Sequence, residues 1–262
     1  MAVLLRIFVF ILFFSYWPDT AFSQPDKASA PTMPTASGMT LETVMQRYLA
    51  ALGDINKMQI RRIKMRVTGI APFAIPITIE SKRPNLVRKD MQLKEYAQVA
   101  SYDGKDAWMI DTFLPSGMQA VDVPQKELAD LLQESYFDGA LVEAYKQGFP
   151  LRYAGIERHD GRTVHVLKLK LPGTNELTIH LDSKSFLEIT HIQKVLINGR
   201  MSELTVRSHD YRKQGDSMTP YRFDFVSKGE NYSGSMVVDS VENNPVIATS
   251  RFQRPAAKTA TH

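Results

Sequence analysis

From about residue 62 to residue 236, apolar and polar positions alternate in short runs separated by turn residues. Ile63, Met65 and Val67 alternate with Arg62, Lys64, Arg66 and Thr68. Leu167, Leu169 and Leu171 alternate with Lys168 and Lys170, and Leu177, Ile179 and Leu181 with Thr178 and His180. Period two marks a strand with one buried face and one wet face. The pattern predicts strands over 59–68, 74–81, 85–93, 98–102 and 107–111. A second set follows over 152–158, 163–171, 176–182, 186–197, 201–212, 221–228 and 233–241. Asp103-Gly104, Asp160-Gly161, Pro172-Gly173, Asp182-Ser183, Asn198-Gly199, Gly215-Asp216 and Gly229-Glu230 supply the turns. Such spacing predicts an up-and-down antiparallel sheet with neighbours paired in sequence order. Pro76 and Pro84 fit edge positions or bulges better than a central strand.

Two stretches follow a helical period instead. Thr40 offers an N-cap, and Leu41, Val44, Met45, Tyr48, Leu49 and Leu52 form one apolar stripe stopped by Gly53. This helix precedes the first strand directly, so it is expected to lie on the sheet's apolar face. The second stretch, 124–147, interrupts the meander. Pro124 opens it, with Leu128, Leu131 and Leu132 on one side and Glu127, Asp130 and Glu134 on the other. Phe137, Leu141, Val142 and Tyr145 form a further apolar cluster ended by Gly148. An insertion of this kind serves as a lid or as plain packing.

The expected fold is therefore mainly β: a curved antiparallel sheet or open half-barrel, covered by an N-terminal helix and a helical lid. By strand parity the inward residues are Ile63, Met65 and Val67, then Ile75, Ile77 and Ile79, then Trp108 and Ile110. The second half contributes Leu167, Leu169, Leu177, Ile179, Val195, Ile197, Leu204, Val206, Phe223 and Phe225. This face is either filled as an ordinary core or leaves a cavity between sheet and helices where a lipid can sit.

Composition narrows the class. The 262-residue chain carries 32 Lys and Arg against 28 Asp and Glu, well interspersed, which disfavours a nucleic-acid partner. An apolar run from Val3 to Tyr16, broken by Arg6 and Ser15, ends at Trp17-Pro18-Asp19. Ala21-Phe22-Ser23 then gives a small-x-small cleavage site. Residues 1–23 read as a secretory signal peptide, with a retained inner-membrane anchor as the alternative. Residues 24–38 read as a flexible leader, 39–254 as one domain and 255–262 as a disordered tail. Without Cys the chain has no disulfide and no thiol for a lipid anchor. The expected compartment is the periplasm, and the expected state a monomer.

Candidate chemistry is sparse. His159, His165, His180, His191 and His209 sit singly on separate strands or turns, and His262 ends the chain, so no metal site or cofactor is expected. His180 has wet-face parity, and His165 shares parity with Leu167 and Leu169. No Gly-x-Ser-x-Gly elbow, P-loop or Gly-x-Gly-x-x-Gly is present, so no catalytic residue is expected.

Several segments together resemble the bacterial outer-membrane lipoprotein-sorting family, the LolA-like periplasmic lipoprotein carriers. The stretch 48–53 (YLAALG) with 60–69 (IRRIKMRVTG) is similar to the family's opening helix and first strand. The stretch 104–111 (GKDAWMID) resembles its G-x-x-x-W strand, and 132–139 with Leu141-Val142 resembles its lid. The hairpin 159–169, Asp210-Tyr211-Arg212 with Thr219-Pro220, and 241–245 through 252–255 resemble later strands and the closing segment. The resemblance implies an open half-barrel lidded by helices. It also implies an apolar cargo, lipid or lipoprotein acyl chains, carried between inner- and outer-membrane partner proteins in the manner of a chaperone. It transfers no cargo-specific residue. Two rivals stand beside this reading. One is an envelope sensor or accessory interaction module using the same sheet. The other is an envelope hydrolase, which would need clustered acidic or His residues in the cleft.

Overall fold

The computed structural model describes residues 38–197, 200–228 and 232–256. The expected signal segment, nearly all of the leader, most of the tail, the Asn198-Gly199 and Gly229-Glu230 turns and the side chain of Ile197 lie outside the described residues.

Helix α1 spans Leu41–Leu52, and the strands follow as β1 (Ile60–Thr68), β2 (Ile75–Lys82), β3 (Leu86–Leu93), β4 (Tyr96–Tyr102), β5 (Ala107–Asp111) and β6 (Val121–Asp122). Helices α2 (Gln125–Glu134) and α3 (Ala140–Gln147) come next. The second meander is β7 (Leu151–His159), β8 (Arg162–Lys170), β9 (Glu176–Asp182), β10 (Glu188–Ile197), β11 (Arg200–Gln214), β12 (Ser217–Lys228) and β13 (Tyr232–Asn243). All pair antiparallel in one curved, unclosed 13-stranded sheet of order β6-β5-β4-β3-β2-β1-β13-β12-β11-β10-β9-β8-β7. Neighbours in sequence are neighbours in space, as the alternation predicts. The exceptions are β6 and β7, which lie at opposite edges, and the β1–β13 pair, which joins the two meanders in the middle of the sheet.

This topology places the helices. The chain leaves the sheet at one free edge, β6, and re-enters at the other, β7. The connection that carries α2 and α3 therefore bridges the two edges over the concave face. Helix α1 is capped by the Thr40 hydroxyl, which accepts from the Thr43 amide at 3.2 Å. It ends at Gly53, which has φ 82° and lies so close to the backbone that an added Cβ would stand 2.0 Å from the Asp216 carbonyl oxygen. Only glycine fits both constraints. Gly234 is fixed by contact: Phe225, its cross-strand partner, lays its ring over it, and a Cβ would come within 2.6 Å of that ring.

Two details of the strands, the length of β11 and β12 and the place of Pro84, differ from expectation, while Pro76 takes an edge-type position as expected. Strands β11 and β12 run on to the Gly215-Asp216 turn, because Pro220 pairs only with Tyr211 and the β13 ladder begins at Arg222. Missing its N–H costs nothing there. Pro76 is accommodated the same way, since β3 first pairs with β2 at Ile77. Pro84 lies in the β2–β3 turn rather than in a strand.

The concave face carries three apolar clusters. On one flank Val44, Met45 and Tyr48 of α1, with Leu141, Val142 and Ala144 of α3, cover Leu167, Leu169, Leu171, Leu177, Ile179 and Leu181. On the other flank Leu131 and Leu128 of α2 pack on Val87, Ala100, Met109 and Val123. The central cluster holds Met65, Val67, Ile75, Ile77, Val195, Leu204, Val206, Phe225, Met236 and Val238, and none of its described members belongs to a helix. The two sides of the curved sheet meet there.

Part of the convex face is covered by the chain itself. After β13 the chain returns beneath β3–β5, and Ile247 and Phe252 pack on Leu86 and Ile60. The Phe252 carbonyl accepts from the Trp108 indole at 2.8 Å and from the Ser101 hydroxyl at 2.9 Å. This corrects two expected inward residues. The ladder Lys89–Ala100–Met109 sets the inward parity of β5, so Trp108 and Ile110 face the convex side. Residues 108–111 are all buried, because both faces of β5 are covered, and alternation no longer reports the facing.

Candidate functional site

The concave face gathers the remaining residues expected to point inward. Ile63, Met65, Val67, Ile75, Ile77, Ile79, Val195, Leu204, Val206, Phe223 and Phe225 belong to the central patch, and Leu167, Leu169, Leu177 and Ile179 to the flank under α1 and α3. Of the lid residues, Leu128 and Leu131 sit on α2 against the sheet, Leu141 on α3, and Leu132 is half-buried. Coverage is uneven. Leu167 and Leu181 are 0% exposed, so no water-sized gap opens on them. Ile63, Ile79, Phe223 and Val241 remain half-buried on the central strip between the helices. The apolar face is thus largely filled by its own side chains and helices, and the strip is where the cover is thinnest.

The flank beneath α2 is not apolar throughout. Parity places Lys89, Gln98 and Asp111 on the same inner face as Met91, Ala100 and Met109. Lys89 Nζ meets Glu134 Oε1 of α2 at 2.6 Å, and Gln98 Nε2 donates to Asp111 Oδ2 at 2.6 Å. Glu127 and Asp130, expected on a wet helix face, are buried too. Of this acidic face, Glu134 reaches the sheet, where it meets the buried Lys89 ammonium. The alternation of β3–β5 contained this information, but a search for apolar residues passes over it.

The link between α2 and α3 is a second polar anchor. Phe137, 1% exposed, lies with the Arg83 guanidinium 4.4 Å and the Arg61 guanidinium 5.1 Å from its ring centre. Arg61, inward on β1, donates to the Phe137 carbonyl at 3.0 Å. Burial pushes the Arg61 guanidinium below its ordinary pKa. Arg83 grips Asp138 with both terminal nitrogens at 2.9 and 2.5 Å, and Lys146 adds a contact at 2.7 Å. Burial alone would raise the Asp138 pKa, but these hydrogen bonds prevail and hold it below the usual carboxylate range. Tyr145 on α3 donates to Glu42 on α1 at 2.5 Å, which ties those two helices together.

The histidines separate into two environments. His165 faces inward as its parity predicts, bonded to the Tyr153 hydroxyl at 2.9 Å and stacked on Phe186 at 4.8 Å. His180 faces outward, but it is 2% exposed rather than wet. The edge strand β7 bulges between Tyr153 and Gly155, and it brings His159 over His180 with ring centres 4.2 Å apart. Burial, and next the His159 charge, lower the His180 pKa against the opposing pull of Glu157 and Asp160. Glu157, His159 and His180 thus form a cluster that linear spacing hides.

With this geometry described, comparison with known proteins defines the fold class. No protein-family model matches the sequence, and no curated protein matches it. Solved structures do. A LolA superfamily protein from Nitrosomonas europaea superposes with a TM-score of 0.58 at 13% identity, covering 82% of this chain and 98% of its own. A domain described as an outer membrane lipoprotein-sorting protein domain, from Vibrio parahaemolyticus, gives 0.54 at 12% identity over 81% and 95%. A DUF1329 family protein from Desulfovibrio piger gives 0.57 at 11% identity over 80% and 97%. The chain therefore shares the fold of these solved structures, an open antiparallel half-barrel, over 80–82% of its length. No helix among the described residues is long and apolar enough to cross a membrane, a statement that leaves strands aside.

Proposed function

We propose that this protein binds the acyl chains of a lipid or lipoprotein on its concave face and carries them through the cell envelope after export by its N-terminal segment. The observation that carries this reading is a broad apolar concave face on an open sheet, covered on its flanks by α1 and by the α2–α3 connection and thinly in between. A LolA-superfamily fold supports it. Each methylene moved from water to such a face contributes about 0.8 kcal/mol, so a chain of ordinary length gains enough to offset displacing a helix. The central strip of Ile63, Ile79, Phe223 and Val241 is the proposed entry, because its cover is the thinnest.

The lid in this reading is α2. Its hold on the sheet includes the Lys89–Glu134 pair, and water can replace such a contact once the helix lifts. The α1–α3 pair is held by fully buried leucines and stays in place. The test is native mass spectrometry of the protein purified from a bacterial periplasm, together with uptake of a fluorescent fatty acid. Copurified acyl species and saturable uptake are expected. Protein that is empty and takes up nothing would overturn the proposal.

A further inference from the structure

Glu157 and His159 alternate on the edge strand β7, so period two puts both side chains on one face. The register sets Gly155, Val166 and His180 in one row across β7, β8 and β9, and that row lies on the same convex face. Gly155 has no side chain to fill the space opposite His180, and a Cβ there would touch nothing within 4 Å. The His180 ring and the two β7 side chains converge on this opening. His180 Nε2 is 3.3 Å from Glu157 Oε1, and one ligand atom from each of the three residues lies within 4.8 Å of the others.

Two further observations point to a ligand. The buried Nε2 of His159 has no hydrogen-bond partner, and His180, 2% exposed, turns its Nε2 toward the Glu157 carboxylate. Ring nitrogens buried without partners are costly and uncommon. Asp160 Oδ2 lies 3.7 Å from that same His159 Nε2, and Arg207 steadies it from the other side at 2.9 Å. Two imidazoles and a carboxylate, with a second carboxylate adjacent, form a donor set for a borderline transition metal. Calcium and magnesium prefer oxygen alone. Zinc held at about 2.1 Å in a tetrahedron needs its ligand atoms about 3.4 Å apart; Glu157 and His180 already stand at 3.3 Å, and all three ligand atoms lie within 4.8 Å of one another.

We propose that Glu157, His159 and His180 form a binding site for a divalent transition-metal ion, zinc by preference. Water or Asp160 completes the coordination. The ion clips the free edge strand β7 to β9, two strands in. This site is on the face opposite the proposed acyl-binding surface and stands independently of that reading.

Isothermal titration of the untagged, chelator-treated full-length protein with zinc chloride tests it, together with the absorption spectrum of the cobalt(II)-loaded form. One ion per chain is expected, with micromolar or tighter affinity and the intense visible bands of tetrahedral cobalt. His180→Asn risks the fold, so the variants are H159Q and E157Q, on the accessible edge strand. H159Q should weaken zinc binding by about 100-fold or more, beyond the 10–100-fold typical of losing an outer-sphere partner. E157Q should weaken it too and change the cobalt spectrum. Absence of one-to-one binding, or an affinity that H159Q leaves within a few-fold of the parent, overturns the proposal.

Discussion

The two flanks of the concave face are covered by helices in opposite ways. Under α1 and α3 the contact is leucine, isoleucine and valine, with Leu167, Leu181 and Val44 fully buried. Under α2 a smaller apolar patch lies beside Lys89, Gln98, Asp111 and Glu134. Apolar contact gains by excluding water and loses progressively when water returns. A buried ion pair gains little net energy over its separated, hydrated partners, yet it is costly to leave half-made. The first flank is therefore a clamp and the second a latch. The difference lies in what replaces each contact on opening, not in the number of residues involved.

The comparison can be broken at several points. Leu167→Ala should cost the most, about 4–5 kcal/mol in a urea denaturation series, because the site under α1 and α3 has no room to collapse. Lys89→Met should cost less, about 3 kcal/mol, since it leaves the buried Glu134 carboxylate without its ammonium. It should also speed hydrogen exchange of the α2 amides while those of β8 and β9 stay protected. Equal acceleration on both flanks would end the distinction between clamp and latch. Thr40→Ala removes the α1 N-cap and should cost about 1 kcal/mol without releasing α1, whose packing dominates.

Acid should separate the flanks at a finer level. Burial, then the nearby Arg47, lowers the His165 pKa against the pull of Asp182, so the folded state favours the neutral ring. That contribution is complete above the unfolded value of about 6.5 and is lost as pH falls through the lower folded value. The depressed Asp138 pKa at the α2–α3 link behaves alike in a lower window. Its contribution is present above about 3.9 and lost as pH falls through the folded value. Stability measured against pH should therefore fall in two stages, and His165→Gln should diminish the first, to which the likewise depressed His180 also contributes. A single stage near pH 4 in the parent would refute this ordering.

Much of this architecture was legible in the chain. The alternation at Ile63-Met65-Val67 and Leu177-Ile179-Leu181 predicts both the strands and their inward sides, and Thr40 and Gly53 mark the ends of α1. What escaped had physical causes. Trp108 and Ile110 belong to a strand covered on both faces, so hydrophobicity there carries no direction. Lys89 and Asp111 are inward by parity, but their meaning depends on α2 lying above them, a tertiary fact. His159 and His180 meet because a bulge in β7 bends an edge, and no spacing rule in a linear sequence encodes that approach.

The pairing of β1 with β13 has a consequence for biogenesis. Arg66 grips Asp239 across that seam although the two are 173 residues apart in sequence. The hairpins of either meander can form as soon as their strands exist, whereas the seam must wait for nearly the last strand. Folding rate falls as such distant pairings come to dominate. Until the seam zips, β1 and β13 are raw edges of two separate half-sheets, with their inner apolar faces open to any neighbour. Closing this one seam therefore removes two exposed edges at once and joins the two inner faces into a single surface.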